Sequence, residues 1–351
     1  MVAISEDGTR AGSEGLGVNV CILLGGAIQG KALSLTSEVT TLAGSTWGYA
    51  DGTGTSAQFY SPDGITTDGT NLYVADTYNN RIRKIVISTA EVSTLAGSSY
   101  GYADGTGSGA QFAYPSGITT DGTNLYVADT YNNRIRKIVI STAEVSTLAG
   151  SSYGYADGTG SGAQFAYPSG ITTDGTNLYV ADTGNGRIRK IVISTGEVTT
   201  LAGSSYGYAD GTGIAAQFYN PYDITTEGTN LYVSDMYNHR IRKIVISTGE
   251  VTTLAGSSEG HADGTGTSAQ FDYPRGITTD GTNLYVADTG NGRIRKIVIS
   301  TGEVTTLAGS SYGYADGNGT AAQFDYPYDI TTDGINLYVT DTNNNRIRCI
   351  K

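Results

Sequence analysis

Six copies of one motif, spaced by 53 residues with no insertion or deletion, run through most of this chain. Copies of TLAG begin at Thr41, Thr94, Thr147, Thr200, Thr253 and Thr306. The stretch TLAGSSYGYADGTGSGAQFAYPSGITTDGTNLYVADT is identical from Thr94 and from Thr147, and the units Thr94–Ser146 and Thr147–Thr199 differ at four positions. A fixed period constrains the fold more than any other feature. One repeat cannot bury its apolar face alone, so the architecture is an array of equivalent units packed on their neighbours. The near-identity of the copies points to recent internal duplication. Function is then sought where the copies differ.

Within one unit, read from Pro115, SGITTDG is a short first strand ending at an Asp-Gly turn, and NLYVADT is a second strand. YNN is a tight polar turn, RIRKIVIST a third strand and VSTLAG a fourth. β-Branched and aromatic residues bounded by Gly, Asn and Asp carry these assignments. No segment sustains a helical period. Leu125 and Val127 face one side of the second strand, Tyr126 and Ala128 the other. Apolar residues on both sides fit a sheet covered on both faces. Four antiparallel strands in about 50 residues match a propeller blade. Residues Ser34–Gly44 align with Ile87–Gly97, a fourth strand, and Lys351 follows a third strand. The lone early strand therefore completes the last blade and closes the ring. The expectation is an all-β, six-bladed β-propeller of four-stranded antiparallel blades over residues 34–351, with residues 1–33 as a non-repeating N-terminal segment.

NLYVADTYNNRIRKI, and above all SDMYNHRIRKI at Ser234–Ile244, resemble the NHL-repeat propellers. LAGSxYGYADGTGxxAQFxxPxGI resembles the long-loop microbial form of that repeat. The resemblance covers Ser34 to Lys351. It implies the propeller fold and no single activity, since the family includes protein-binding, RNA-binding and a few lyase members.

The formal net charge is −12. Nucleic-acid binding draws on Lys and Arg against phosphate, so an acidic chain with no basic run argues against that partner and against anionic membranes. No apolar run reaches the ~18 residues of a membrane span. Glu6, Asp7 and Glu14 outweigh Arg10 ahead of the apolar stretch Val18–Gly30, so no clear secretory signal is present. The compartment stays open, with the cell exterior or surface favoured. Cys21 and Cys349 define neither a disulfide framework nor a zinc pattern. They are read as unpaired thiols, with one staple between the ends of the chain as the alternative. Residues 1–33 are read first as packing on the ring, then as an assembly strand for another copy, or as the remnant of an upstream domain or export segment.

The loops joining fourth to first strands and the turns joining second to third strands share one face, the top. Long loops on a rigid frame are the usual place for function. The residue after each Pro that opens a first strand is Asp63, Ser116, Ser169, Tyr222, Arg275 or Tyr328, and these six should ring the mouth of the central channel. The second-to-third turns begin Tyr78, Tyr131, Gly184, Tyr237, Gly290 and Asn343. The long loops offer Trp47, Tyr100, Tyr153, Tyr206, Glu259 and Tyr312. Two residues later come Tyr49, Tyr102, Tyr155, Tyr208, His261 and Tyr314. Tyr is far commoner (26) than Phe (6) or Trp (1), which fits an amphipathic aromatic surface. Such a top face binds a glycan or an extended peptide; alternatively, the loop tyrosines only pack the loops onto the blades. The aspartates of the DGTG and DGNG motifs (Asp51, Asp104, Asp157, Asp210, Asp263, Asp316) are read as turn residues rather than calcium ligands, whose dense spacing is missing. Asp76 is expected to pair with Arg81 across its turn. His239 and His261, with Asp235, Glu259 and Asp263 near, are the best case for a metal or general-base site. Since His239 stands at an ordinary signature position and His261 replaces a Tyr, no metal, cofactor or catalytic residue is expected. The expected function is a non-enzymatic binding or scaffold propeller engaging protein or glycan. The alternatives are a self-assembling filament or oligomer subunit joined through residues 1–33, and a lyase using the two histidines.

Overall fold

The computed structural model describes residues 23–24, 27–28 and 32–351. Cys21 and most of the segment 1–33 lie outside the described residues, and so do the readings made of them. Each repeat folds as the pattern predicts. In the second blade the strands are Pro115–Thr120, Asn124–Asp129, Arg134–Val139 and Glu144–Ala149, antiparallel in sequence order. The second-to-third turn is a single 3-10 turn, Thr130–Asn132, closed by Asn133 in the left-handed region at φ 54°. Asn tolerates that conformation better than most residues, and Gly186 and Gly292 stand there in two other copies.

The blades have five strands, not four. Gly105–Thr106, inside the long loop, pairs with Val145 and Glu144 on the outer edge of the fourth strand. The loop leaves the fourth strand of one blade, covers the outer edge of the next, and then turns in to that blade's first strand. A bare outer edge would present unpaired backbone groups to water and to other chains, and the loop removes that edge. The DG dipeptide thus opens a short edge strand rather than a free turn.

The first strands surround the axis. Each lies against the first strands of its two neighbours, and Pro327–Thr332 of the last blade lies against Pro62–Thr67 of the first. The ring is closed as expected: Glu38–Ala43 pairs with Arg346–Ile350 (Thr40 opposite Cys349), completing the last blade. Leu33, at the edge of the non-repeating segment, donates its backbone N–H to Asp280 at 3.0 Å, and Leu33 and Leu35 pack on the core between the fifth and sixth blades.

The core lies between blades. Tyr126 and Ala128 of one blade pack with Phe165, Ile171, Leu178 and Val180 of the next, all essentially inaccessible to water. Both faces of each second strand are buried, which is why its sequence lacks a polar side. The largest inaccessible side chain of each blade is an arginine. Arg136 Nη1 donates to Asp129 Oδ2 (2.7 Å) and the Gln111 carbonyl (3.0 Å). Its Nη2 donates to Asp104 Oδ1 (2.6 Å) and the Ala103 carbonyl (3.0 Å). The fork therefore clamps the long loop onto the second and third strands, and the same set recurs in all six blades.

This corrects two expectations. Asp76 and Arg81 do stand opposite one another in register, but Asp76 bonds Arg83 (2.8 Å), which is buried beside it. Arg81, at the rim, lies over the Tyr49 ring at 4.3 Å instead. The DGTG aspartates are anchors for that buried arginine, and Asp104 also accepts from the Thr147 hydroxyl at 3.1 Å.

Candidate functional site

The six residues that follow the opening prolines all line one cavity of about 600 Å³ at the top of the channel. One wall is an arc of tyrosines. Tyr78, Tyr114, Tyr131 and Tyr167 line it and follow one another with ring centroids 4.8 to 5.5 Å apart, and Tyr60 continues the run beyond the cavity at 5.0 Å from Tyr78. Tyr219, Tyr237 and Tyr273 make a second, shorter run at 5.0 and 5.4 Å. The arc breaks where glycine stands in the second-to-third turn. At Gly184 the Tyr206 hydroxyl bonds the Gly184 carbonyl (2.7 Å), and at Gly290 the Tyr312 hydroxyl does the same (2.6 Å). A side pocket of about 310 Å³ opens at Gly290, between Tyr237, Asp272, Tyr273, Tyr312 and Tyr326, and shares Arg275 with the main cavity.

The floor of the vestibule is polar and asymmetric. Ser116 and Ser169 are small and buried. Across from them the Arg275 guanidinium lies over Tyr328 (3.9 Å) and Tyr222 (4.8 Å). Arg275 Nε has no hydrogen-bond partner among the described residues. The Tyr222 hydroxyl donates to Asp63 Oδ2 at 2.9 Å. Burial pushes the Asp63 carboxyl up to about 6, against the pull of Arg275 and the Tyr222 bond.

Asp223 and Asp329 sit one residue deeper, where the other four copies have glycine. Asp223 Oδ2 accepts the Ile277 N–H (2.9 Å) and Asp329 Oδ2 the Ile65 N–H (2.8 Å), each a bond to the next blade. Both carboxyls are raised, by burial first and then by the like charges around the axis.

The tyrosines and Trp47 of the long loops divide by position. Trp47, Tyr100, Tyr153, Tyr206 and Tyr312 are exposed, 71% for Trp47 and 61% for Tyr100. They lean on the aromatic wall, Tyr100 on Tyr114 at 6.0 Å and Tyr153 on Tyr167 at 5.8 Å. The tyrosines two residues later lie under the first arginine of the third strand, as Tyr102 does under Arg134 (4.7 Å), and so fix the loop. Packing and exposed aromatic surface are thus both present, on different residues.

Two sets of lining residues escaped the sequence reading. Tyr114 and Tyr167 precede prolines, which disfavours helical conformations and points to extended backbone; both adopt the left-handed region instead, at φ 49° and 48°. That turns their rings onto the vestibule. The second set is Asp223 and Asp329. Their signal was a paired change: the facing second strands carry Ser234 and Thr340 where the other copies have Ala, and those hydroxyls accept the Asp223 and Asp329 N–H groups (2.9 and 2.8 Å).

The two histidines are not grouped together. His239 gathers with Glu259 and Asp272. Asp235 and Asp263 are held by Arg242 (2.7 Å) and Arg295 (2.8 Å), and His261 is exposed on its loop.

The NHL repeat family model matches residues 112–138 and 165–191, the heart of the second and third blades. NHL repeat-containing protein 2 of Homo sapiens is 29% identical over 313 residues, covering 76% of this chain and 43% of the human protein. Protein SUPPRESSOR OF QUENCHING 1, chloroplastic, of Arabidopsis thaliana is 30% identical over 280 residues, covering 73% of this chain and 26% of that protein. The chain thus spans less than half the length of these relatives. Among solved structures, an auxiliary nutrient binding protein from Bacteroides ovatus superposes with a TM-score of 0.67 at 19% identity, over 91% of this chain and 77% of that one. No helix among the described residues is long and apolar enough to cross a membrane. In its repeats, its closure and its matched segments, the chain belongs to the NHL-repeat family of six-bladed β-propellers.

Proposed function

We propose that the protein is a non-enzymatic binding module that holds an extended polar ligand, a glycan or a peptide segment, in the top vestibule. The observation that carries this reading is the asymmetry of the vestibule in an otherwise repetitive ring. Three blades present small or acidic residues at the channel mouth, and three present Tyr222, Arg275 and Tyr328 as one stacked group. A concave site of a few hundred Å³, with aromatic walls and a few convergent polar groups, is the usual form of a ligand pocket. Tyrosine supplies broad contact area at low entropic cost, with a hydroxyl for polar partners. Arg275 offers donors to a carbonyl, hydroxyl or carboxylate of the ligand. The Bacteroides ovatus nutrient binding protein, alike in fold, is consistent with a binding role.

The test is a glycan and peptide array probed with the wild-type chain, followed by affinities for Arg275→Ser and for Tyr222→Ser with Tyr328→Ser. Serine is the residue two other copies place there, so the fold is expected to hold. Binding is expected to weaken about tenfold or more, since a buried aromatic or arginine anchor contributes more than ~1–2 kcal/mol. Unchanged affinity in both variants would remove the vestibule as the site.

A further inference from the structure

Three side chains, each with a metal-ligating atom, converge at the boundary of the fourth and fifth blades. His239 lies in the second-to-third turn of the fourth blade, Glu259 in the long loop that follows, and Asp272 just before the first strand of the fifth blade. Their ligand atoms all lie within 4.8 Å of one another, the one such group of three among the described residues. The internal repeats provide a control. Where His239 stands the other copies have Asn or Gly, and where Glu259 stands they have Tyr or Trp. Asp272 has one acidic counterpart, Asp325, and that copy has Gly292 and Tyr312 in place of the histidine and the glutamate. The constellation therefore occurs once.

The local geometry favours a bound cation over mere packing. In other blades the turn asparagine caps the next blade firmly: Asn80 and Asn133 accept the N–H groups of Tyr114 and Tyr167 at 2.9 Å. His239 Nδ1 takes the same role toward Tyr273, but at 3.4 Å, and stands 3.7 Å from Asp272 Oδ1. That carboxylate oxygen is buried and has no hydrogen-bond partner among the described residues. A buried acceptor left unpaired is costly unless something fills the place. Gly290 leaves room for the carboxylate, since a Cβ there would run into Asp272 Oδ2.

We infer that His239, Glu259 and Asp272 form a binding site for a divalent transition-metal ion of the zinc type. One imidazole and two carboxylates suit such an ion, with the fourth position open to water. Zinc bonds of about 2.0–2.2 Å set tetrahedral ligand atoms about 3.4 Å apart. The His239–Asp272 pair, at 3.7 Å, is close to that, and the exposed Glu259, within 4.8 Å of both, supplies the third ligand. Asp272 also lines the side pocket, so the open position faces the edge of the vestibule. This site does not depend on what the vestibule binds.

The experiment uses the full chain without an affinity tag, treated with a chelator and dialysed, then titrated calorimetrically with Zn²⁺ at pH 7.5. One equivalent is expected to bind saturably, and Co²⁺ in its place is expected to give the strong visible absorption of a four-coordinate site. His239→Asn and Glu259→Tyr each restore a residue found in other copies, and each is expected to weaken binding at least about tenfold. Asp325→Asn is expected to leave it unchanged. The absence of saturable binding would overturn the inference, and so would equal affinity in the His239→Asn, Glu259→Tyr double variant.

Discussion

Arg136 exposes no atom to water, yet its guanidinium reaches two aspartates and two carbonyls. Only the planar fork of arginine meets that set of acceptors, and lysine would offer a point charge instead. Asp129 is fully buried and Asp104 half exposed, so the pair at the Asp129 side dominates. Removing the arginine strands the Asp129 charge in the core and frees the long loop. Arg136→Ala is expected to cost about 3–5 kcal/mol, the range for breaking one side of a buried ion pair. Denaturant midpoints compared at equal slope check this. A loss below ~1 kcal/mol would mean that the edge strand and the Tyr102–Arg134 contact hold the loop without the buried fork.

The first strands are the elements where repetition gives way. In four blades a glycine passes close to its neighbour; in the fourth and sixth, Asp223 and Asp329 reach across to the next blade's backbone. Asp63, on the first blade, completes an acidic floor facing Arg275, Tyr222 and Tyr328. Its carboxyl is raised to about 6 by burial, above the unfolded value near 3.9. The folded state thus keeps a proton that the unfolded chain has already lost. The stability this group contributes is complete below the unfolded value and is lost as pH rises through about 6. Wild-type protein should therefore lose more stability between pH 5 and pH 7.5 than Asp63→Asn, in which the amide oxygen still accepts from Tyr222. Melting midpoints at the two pH values decide it, and an equal loss in both proteins would refute the assignment.

The whole molecule is a ring held shut by one strand. Glu38–Ala43 pairs with the last strand of the chain and carries Val39 and Ala43 into two inter-blade cores. Without it the sixth blade would lose an antiparallel ladder and expose an edge. A chain shortened to begin at Ser45 is expected to unfold less cooperatively and to self-associate, whereas one beginning at Ala32 keeps the closure. Light-scattering mass and calorimetric melting of the two shortened chains test this; two equal, monomeric melts would show that closure by this strand is dispensable.

The 53-residue period and the alternation within each copy determined the blade, the number of blades and the closure, because those depend on patterns that local sequence carries whole. The channel-mouth ring was legible for the same reason: one position after each proline projects to one level of the axis. What only the tertiary structure decided were contacts between copies. Arg83 rather than Arg81 meets Asp76 because burial, not register, selects the partner. The fifth strand forms because a loop crosses to the next blade's edge. The tyrosines before proline face the vestibule because the closed ring holds them in a left-handed conformation that their own sequence disfavours. His239 meets Glu259 and Asp272, not His261, because the residues that converge at a blade boundary are set by how two blades pack, and no period along the chain records that distance.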